Sequence, residues 1–453
     1  MTDSVTQFFA PRAQLVDVES NTVVGANWPD GNHVALVSAR VTLVNTGVAQ
    51  LTVVLDNTRF QQQGDSILPM QPPWLYNALD RLRFGQKVRL DLSYGDAPWT
   101  KMIVAQINDM QFTFASSGPS QVTITGEDLL SRLKQKPSAD KPYPRGQTEE
   151  QIVRDVVTRS GNSDAPFAGS TVTNQTRDGN GYLANTGSAI EWPTITEDLQ
   201  SVTHQKSQTY LQFLQSIADR LDFEIFMDFT RNYLPLDEPG TAQSTTPPAD
   251  TSAVMMHFEP ARSLLNGHAP SFYVPLVWGR NIVDFTPKLK VWDLATSVKV
   301  SGRNPTSVQR IQHSVEGAGA IAEVARDLGR TEGTPAPMSA LELRQTLLQG
   351  VSVPTDAPLD VPATNLGEER ARLLAIAKLR EKAREFLSVE ASTIGFPSLR
   401  AGIHVDVSGL HAPFDGVYYV IKAIHTLDAQ GYKTQLTLRR PGMQNPMTYE
   451  GHL

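Results

Sequence analysis

Polar and apolar side chains alternate along several short stretches before residue 135. This is the period of strands that bury one face. The strands predicted from it are His33–Val44, Gln50–Asn57, Lys87–Tyr94, Thr100–Ile107 and Gln121–Gly126. Short strands separated by frequent turns are typical of a small antiparallel barrel or sandwich. A helical stretch, Glu127–Lys134, is predicted to follow the last of them.

The middle of the chain mixes helical and strand patterns. Thr148–Ser160 is predicted to be a helix, because Thr148 is a good N-cap and two glutamates fill the first turn. Thr209–Leu221 places leucines and an isoleucine at helical spacing, and Phe223–Phe229 alternates as a strand. We therefore expect a mixed α/β region here.

The last third returns to strands. A short strand is predicted at Val298–Gly302, and a long helix at Leu366–Val389 with Leu373, Ile376, Leu379, Ala383 and Phe386 on one stripe. The final strands predicted are Ile403–Ser408, Gly416–His425 and Gly431–Arg439. Residues 305–362 are small, polar and proline-rich without a sustained period, and are interpreted as an insertion with helical stretches at 319–328 and 338–348.

The predicted fold class is mainly β with α+β insertions. It comprises two tandem small β-barrels and a mixed α/β middle domain. The expected division is a first barrel at 1–135, a middle domain with loop insertions at 136–290, a second barrel at 291–305 and 363–453, and a long insertion at 306–362. The two barrels are expected to be related, although residue identity alone reveals no internal repeat.

Composition narrows the function classes. The chain of 453 residues has 40 lysines and arginines against 47 aspartates and glutamates, for a net charge of −7, so nucleic acid is disfavoured as a primary partner. It contains no cysteine, which excludes disulfides, thiolate metal sites and cysteine nucleophiles. No apolar run is long enough to span a membrane. The N-terminus lacks the pattern of a secretory signal, so any export is expected to use another route.

The sequence gives little support for a catalytic or metal-binding site. Phosphate-loop, zinc-protease and nucleophile-elbow motifs are absent. Gly317–Ala322 matches a relaxed dinucleotide-binding fingerprint, but the segment before it is polar and not the buried strand that such a site requires. His404, His411 and His425, with Asp406, could assemble a metal site, but their spacing fits no compact ligand pattern.

Adjacent acidic residues also give little support for a catalytic site. Glu127-Asp128 and Glu149-Glu150 are better explained by helix starts than by glycoside hydrolysis. The prediction is therefore no enzyme, no catalytic residue, no cofactor and no metal.

Several ordered motifs resemble one family. They are Phe84–Leu90, Ser93–Asp96, Val122–Leu129, Thr209–Leu214, Phe223–Phe226, Gly279–Ile282, Phe285–Pro287, Val298–Gly302, Ala371–Glu385, Gly395–Gly402, Gly416–Val420 and Gly431–Thr434. Their order resembles the baseplate hub proteins of contractile phage tails, the late control protein D group, and the hub part of VgrG-like spikes. The resemblance covers most of the chain outside its loops and the insertion.

The resemblance implies a homotrimer in which each chain gives two tail-tube-like barrels to a six-barrel ring. Such a ring would join a threefold spike to a sixfold tube around a central channel through which DNA or protein cargo passes. The implied partners are a separate spike protein below, tube or tube-initiator proteins above and other baseplate components. The implied location is a virion or injection particle assembled in the bacterial cytoplasm.

Two alternatives remain open. A β-rich carbohydrate-binding or carbohydrate-cleaving protein has support from the proline-flanked tryptophans Trp28, Trp74, Trp99 and Trp192. A monomeric secreted binding module is disfavoured by the missing signal and the extended multidomain chain.

Overall fold

The computed structural model describes residues 10–24, 36–63, 66–79, 81–95, 97–116, 118–158, 175–177, 183–185, 202–229, 254–260, 273–292, 295–303, 310–316, 358–364, 366–411 and 413–440. Strands dominate these residues, which confirms the mainly β class. None of the helices within these ranges is long and apolar enough to cross a bilayer.

The alternating stretches before residue 135 form strands as predicted. They are β1 (Pro11–Asp17), β2 (Thr22–Val23), β3 (Leu36–Val44), β4 (Gln50–Asp56), β5 (Thr58–Gln63), β6 (Ser66–Trp74), β7 (Lys87–Tyr94), β8 (Thr100–Thr113) and β9 (Gln121–Asp128). Six of them pair antiparallel in the order β3-β4-β9-β8-β7-β1, and β1 also lies beside β3. The sheet therefore curls around one core, in which Leu15, Val41 and Leu55 are fully buried. We call this sheet the N-unit.

The predicted helix at Glu127–Lys134 is shorter and tighter than expected. A 3₁₀ helix spans Leu129–Lys134, and the Asp128 carboxylate accepts the Leu130 N–H at its start. Asp128 and Glu127 instead end strand β9, because they pair with β8 or β4.

The middle region forms a core of its own. Its elements are β10 (Lys141–Tyr143), α1 (Glu149–Thr158), β11 (Gln175–Arg177), β12 (Leu183–Asn185), β13 (Val202–His204), α2 (Tyr210–Leu221), β14 (Phe223–Phe229) and β15 (Val254–Pro260). Helix α1 begins as predicted, because Thr148 Oγ1 accepts the Gln151 N–H at 3.2 Å. Thr209 caps α2 in the same way with Gln212. Strand β14 agrees with its predicted bounds.

The last region contains a second curled sheet. Its elements are β16 (Tyr273–Val277), β17 (Ile282–Leu289), β18 (Ser297–Arg303), β19 (Arg310–Glu316), β20 (Pro358–Thr364), α3 (Glu368–Arg384), β21 (Leu387–Ile394), β22 (His404–Ser408), β23 (Gly416–Asp428) and β24 (Gly431–Arg440). Six strands pair in the order β17-β21-β24-β23-β22-β16 around a core that includes Leu276, Val405 and Leu438. We call this sheet the C-unit.

Two expectations for this region are corrected. Residues 310–316 and 358–364 are strands that flank β18 in a three-stranded sheet, because each pairs with one of its edges. The predicted helices at 319–328 and 338–348 lie outside the described residues. Helix α3 ends at Arg384 rather than Val389, because β21 begins at Leu387. It buries Ala371, Leu374, Ala375 and Leu379 in one core with β18, whereas Leu373 and Ile376 are only half-buried.

The N-unit and the C-unit share one strand order. When the six strands of each are counted in chain order, both sheets run second, third, sixth, fifth, fourth, first. Every neighbouring pair is antiparallel except β16 and β22, which are parallel where β1 and β7 are antiparallel. Among the described strands neither ladder closes into a ring, so the units are curled sheets rather than closed barrels.

Both units enter their fourth strand through the same glycine turn. Gly85 and Gly402 have φ of 79° and 82° and follow the similar sequences Leu82-Arg83-Phe84 and Leu399-Arg400-Ala401. Each glycine donates its N–H to the carbonyl of a residue in the fifth strand. That same fifth-strand residue donates its own N–H to the carbonyl of the residue that follows the glycine. The bonds are Gly85 N to Ile107 O at 2.8 Å, Ile107 N to Gln86 O at 2.9 Å, Gly402 N to Val420 O at 2.8 Å and Val420 N to Ile403 O at 2.9 Å.

Two irregularities of the sheets also coincide, whereas the bulge at Met102 between β7 and β8 has no counterpart between β22 and β23. The second strand of each unit skips one residue in its pairing with the third, at Val37 in β3 and at Val283 in β17. The fifth strand skips one residue against the sixth, at Asn108 in β8 and at Ile421 in β23. β-bulges are specific features of a fold. The N-unit and C-unit are therefore two copies of one six-stranded fold, which gives the expected relation a structural basis.

The paired glycines generate a stability prediction. Replacing Gly85 or Gly402 by alanine is expected to lower the free energy of unfolding by about 1–2 kcal/mol at either site, because both have left-handed φ. Asparagine, which tolerates this φ, is the matched control and should cost clearly less. Urea unfolding followed by tryptophan fluorescence measures both. Equal cost for alanine and asparagine would contradict the backbone explanation.

Candidate functional site

Strand β23 joins the two units edge to edge. Its first residues pair with β22 inside the C-unit, and Lys422–Leu427 pair with Val44–Ala39 of β3 in the N-unit. The change of partner falls at the bulge residue Ile421, whose carbonyl accepts the Asn45 N–H at 3.1 Å. A 13-stranded sheet therefore runs through both units. We call the β23–β3 contact and the side chains around it the internal joint.

The turn before β22 fills the internal joint. Gly395 lies against Tyr432 so closely that a Cβ would stand 2.1 Å from the ring, and its carbonyl accepts the Tyr94 hydroxyl of the N-unit at 2.7 Å. Ala401, three residues from the start of a C-unit strand, packs in the N-unit core. The Gly395–Gly402 motif thus acts as a contact between the units.

Arg400 connects three parts of the chain. Its guanidinium donates to Asp228 Oδ1 of β14 at 2.7 Å and to the β8 carbonyls of Met102 and Lys101 at 2.8 and 3.2 Å. Arg400 and Asp228 are buried, with side-chain exposures of 2% and 4%. A buried ion pair costs desolvation and is retained only with good geometry, and here hydrogen bonds to Asp228, Met102 and Lys101 provide that geometry.

Strand β14 supplies further carboxylates to the same region. Glu224 accepts Asn45 Nδ2 of the N-unit and the Tyr419 hydroxyl of the C-unit, both at 2.6 Å. Asp222, which ends α2 with left-handed φ, contacts Arg384 of α3. The middle region therefore holds the two units and α3 through acidic side chains.

His425 lies at the centre of the internal joint. Its Nε2 is 2.7 Å from the Leu399 carbonyl, and its Nδ1 is 2.7 Å from the Tyr432 hydroxyl and 3.1 Å from Thr434 Oγ1. Because a carbonyl only accepts, Nε2 carries the proton and Nδ1 accepts. Complete burial, and then the nearby Arg400 charge, lower the pKa of His425 to about 3.

The structure separates the residues that the sequence analysis considered as metal ligands. His425 has the joint partners above, His404 is buried on β22 and Asp406 is exposed on the same strand. His411 lies in a turn with φ of 63°. In the described part of the chain no three His, Asp or Glu side chains lie close enough to hold a metal ion.

The candidate acidic pairs have structural partners. Glu127 binds Lys134 at 2.7 Å, and Asp128 accepts the Ala49 and Leu130 N–H groups. Burial raises the pKa of Asp128 to about 7.

The second pair is also engaged. Glu149 binds Arg370 and Glu150 binds Arg154, at 3.0 and 2.9 Å. Of the tryptophans, Trp99 lies under Arg12 and Trp74 packs on Phe114, while Trp28 and Trp192 lie outside the described residues, as does Gly317–Ala322.

Sequence reasoning missed the residues that make the internal joint. Glu224 and Asp228 are acidic positions inside the otherwise apolar strand β14, and this was a usable signal of buried partners. The similarity of Leu82–Gly85 to Leu399–Gly402 was a second signal, too short to stand out before the turns were seen to coincide.

Several strand edges lack a hydrogen-bonded neighbour within the described part of the chain, and two of them belong to β17 and β8. Strand β17 pairs along its length only with β21, and Asp109–Thr113 of β8 pair only with β9. Both edges expose apolar side chains, since Val283 is 57% and Phe114 53% exposed. Natural sheets protect such edges or use them for pairing.

Comparison with solved structures shows the same fold in tail proteins. The tail protein from Neisseria meningitidis MC58 matches with a TM-score of 0.54 and 10% identity, over 97% of this chain and 99% of that one. The 43 kDa tail protein of prophage MuSo2 from Shewanella oneidensis matches with a TM-score of 0.53 and 14% identity, over 95% and 99%. No protein-family model and no curated protein matches.

The buried ion pair of the internal joint generates a mutational prediction. Arg400→Met or Asp228→Asn alone is expected to lower the free energy of unfolding by about 3–5 kcal/mol, because each leaves its partner charge buried. The double variant should cost less than the sum of the single costs. Urea unfolding of the four proteins measures this coupling, and simple additivity would contradict it.

His425 generates a pH prediction. Its pKa is lowered in the folded state, so below about pH 6.5 the unfolded chain binds a proton that the folded chain does not. Its contribution to stability should therefore fall by about 2 kcal/mol between pH 7.5 and 5. His425→Gln keeps a donor and an acceptor but does not titrate, so this variant should lose less stability over that range. Parallel urea titrations at both pH values test it, and identical losses would refute it.

These two solved structures share nearly their whole length with this chain, and the protein therefore has the fold of these tail proteins.

Proposed function

We propose that this protein is a structural hub of a contractile tail or injection machine. The observation that carries the proposal is the duplication of one six-stranded unit, with the copies joined edge to edge by β23 and β3. The shared fold with two tail proteins supports it.

The proposed symmetry is a trimer that makes use of the duplication. Three copies of a chain with two equivalent units form a ring of six units, which is threefold in chains and close to sixfold in shape. Such a ring can bind a threefold spike on one face and a sixfold tube on the other. The proposed partners are a separate spike protein, tube or tube-initiator proteins and other baseplate components, around a central channel for DNA or protein cargo.

The proposed role is mechanical rather than catalytic. The acidic pairs considered as catalytic groups are occupied by Lys134, Arg370, Arg154 and backbone N–H groups. We propose that the domains follow the cores, with the N-unit and C-unit in the ring and the β14 region bracing them. The proposed location is the tail baseplate of the particle.

The oligomeric state tests this proposal. The purified protein, alone or with its spike, is expected to have three times the 49.7 kDa mass of one chain and to form a threefold ring in electron micrographs. Light scattering during size-exclusion chromatography gives the mass. A monomer under both conditions, or a ring of another order, would refute the hub.

A further inference from the structure

The duplication identifies a counterpart of the internal joint. In that joint the fifth strand of the C-unit, β23, pairs with the second strand of the N-unit, β3. The equivalent strands of the opposite units are β8 and β17. Each of these two strands has an outer edge without a hydrogen-bonded neighbour among the described residues.

We infer that β8 of one copy pairs antiparallel with β17 of a second copy, in the register of the β23–β3 ladder. The inference rests on the proposed function for ring closure and names the surfaces that close it. The occupant inferred for each of these two edges is thus the other of the two, supplied by a second copy of the chain. This contact is head-to-tail, which generates a closed ring when the rotation per copy fits.

The register follows from the coincident bulges. On the fifth strands, Asn108 matches Ile421, so Asp109, Gln111 and Thr113 match Lys422, Ile424 and Thr426. On the second strands Val37 matches Val283, and the residues after them match in step. Transfer of the β23–β3 pairs then places Asp109 opposite Lys290, Met110 opposite Leu289, Gln111 opposite Lys288, Phe112 opposite Pro287, Thr113 opposite Thr286 and Phe114 opposite Phe285.

The side chains placed opposite one another are complementary. Asp109 meets Lys290 with opposite charge, and Met110 meets Leu289, which is 40% exposed in the single chain. Phe114, 53% exposed, meets Phe285. Opposite charges and apolar pairs across strands stabilise antiparallel pairing. The register follows from the positions of the backbone bulges and does not depend on side chains. The complementarity of the facing side chains therefore supports it independently.

Residues of the internal joint are more buried than their counterparts on the surface inferred to pair between copies, as expected if that surface is covered only in the assembly. Ala423 and His425 of β23 are buried, while their counterparts Met110 and Phe112 are only half-buried. In the turn before the fourth strand, Ala401 is 5% exposed because it enters the other unit, whereas its counterpart Phe84 is 62% exposed.

Arg400 shows the same contrast. It is 2% exposed because it bonds across the joint, and its counterpart Arg83 is exposed. The N-unit therefore presents a surface like that of the internal joint, and no partner for it lies among the described residues.

Pro287 modifies this contact. The Lys290 N–H donates to the Phe386 carbonyl, on the side of β17 that faces β21. Successive residues of a strand direct their N–H groups to opposite edges, so the backbone nitrogen of Pro287 faces the open edge. Proline lacks that donor, and the new ladder has one hydrogen bond fewer than the internal joint at the equivalent Val41. Proline at an open edge also discourages pairing with unrelated strands.

The absence of native cysteine allows a direct cross-linking test. Gln111 and Lys288 are exposed, and in the inferred register they form a non-hydrogen-bonded pair, the closer of the two antiparallel types. The double variant Gln111→Cys with Lys288→Cys is expected to form covalent dimers and trimers on mild oxidation. Denaturing gels with and without reductant resolve them, and the native mass is measured in parallel.

Matched variants control the register. Thr42→Cys with Ile424→Cys is the equivalent pair of the internal joint and should form a disulfide within one chain, without a change of mass. Gln111→Cys with Thr286→Cys moves the pair by two residues and should remain mostly unlinked. Equal cross-linking of this shifted pair would overturn the inference.

The remaining outcomes separate the inference from the proposed function. A native trimer in which Gln111→Cys and Lys288→Cys do not link overturns the inferred pairing and leaves the hub. Covalent chains longer than three copies support the pairing and overturn the closed ring. A monomer without cross-links overturns both.

Discussion

The backbone hydrogen bonds of β23 are the constraint on which the rest of the structure depends. This one strand pairs with β22, β24 and β3, and so belongs to the C-unit and completes an edge of the N-unit. The bulge at Ile421 makes this possible, because it redirects the strand from one partner to the next. Without that extra residue the alternation of side chains would place the wrong face of β23 against one of the cores.

The polar contacts around β23 fix an arrangement that apolar packing alone would leave less specific. Arg400, Glu224 and His425 each bind groups from more than one part of the chain. Buried charges contribute little net stability once desolvation is included, but they tolerate few alternative geometries. Strand β14 carries the carboxylates, so the position of the middle region and the angle between the units are set together.

The sequence predicted local structure well and long-range pairing poorly. Strands β7 and β14 and the cap of α1 follow from alternation and capping chemistry within a few residues. Strands β19 and β20 were missed, because both depend on pairing with β18. Leu359, Val361 and Ala363 alternate in β20, but its two prolines disfavour a strand and its parallel partners in β18 lie 61 residues earlier. The actual partners of His425, namely Leu399, Tyr432 and Thr434, were not predictable from sequence, because only the curl of the sheet brings them together.

The parallel pair β16–β22 has a consequence for how the protein folds during synthesis. Tyr273–Val277 must wait for His404–Ser408, so much of the chain leaves the ribosome before the C-unit can close. Until β23 has been synthesised, the edge of β3 that pairs with it has no hydrogen-bonded neighbour. Contacts of such long sequence separation are slow to form, and exposed strands in the interval invite mispairing. Residues 401–440 contain β22, β23 and β24, so both units become complete only when this last part of the described chain has been synthesised.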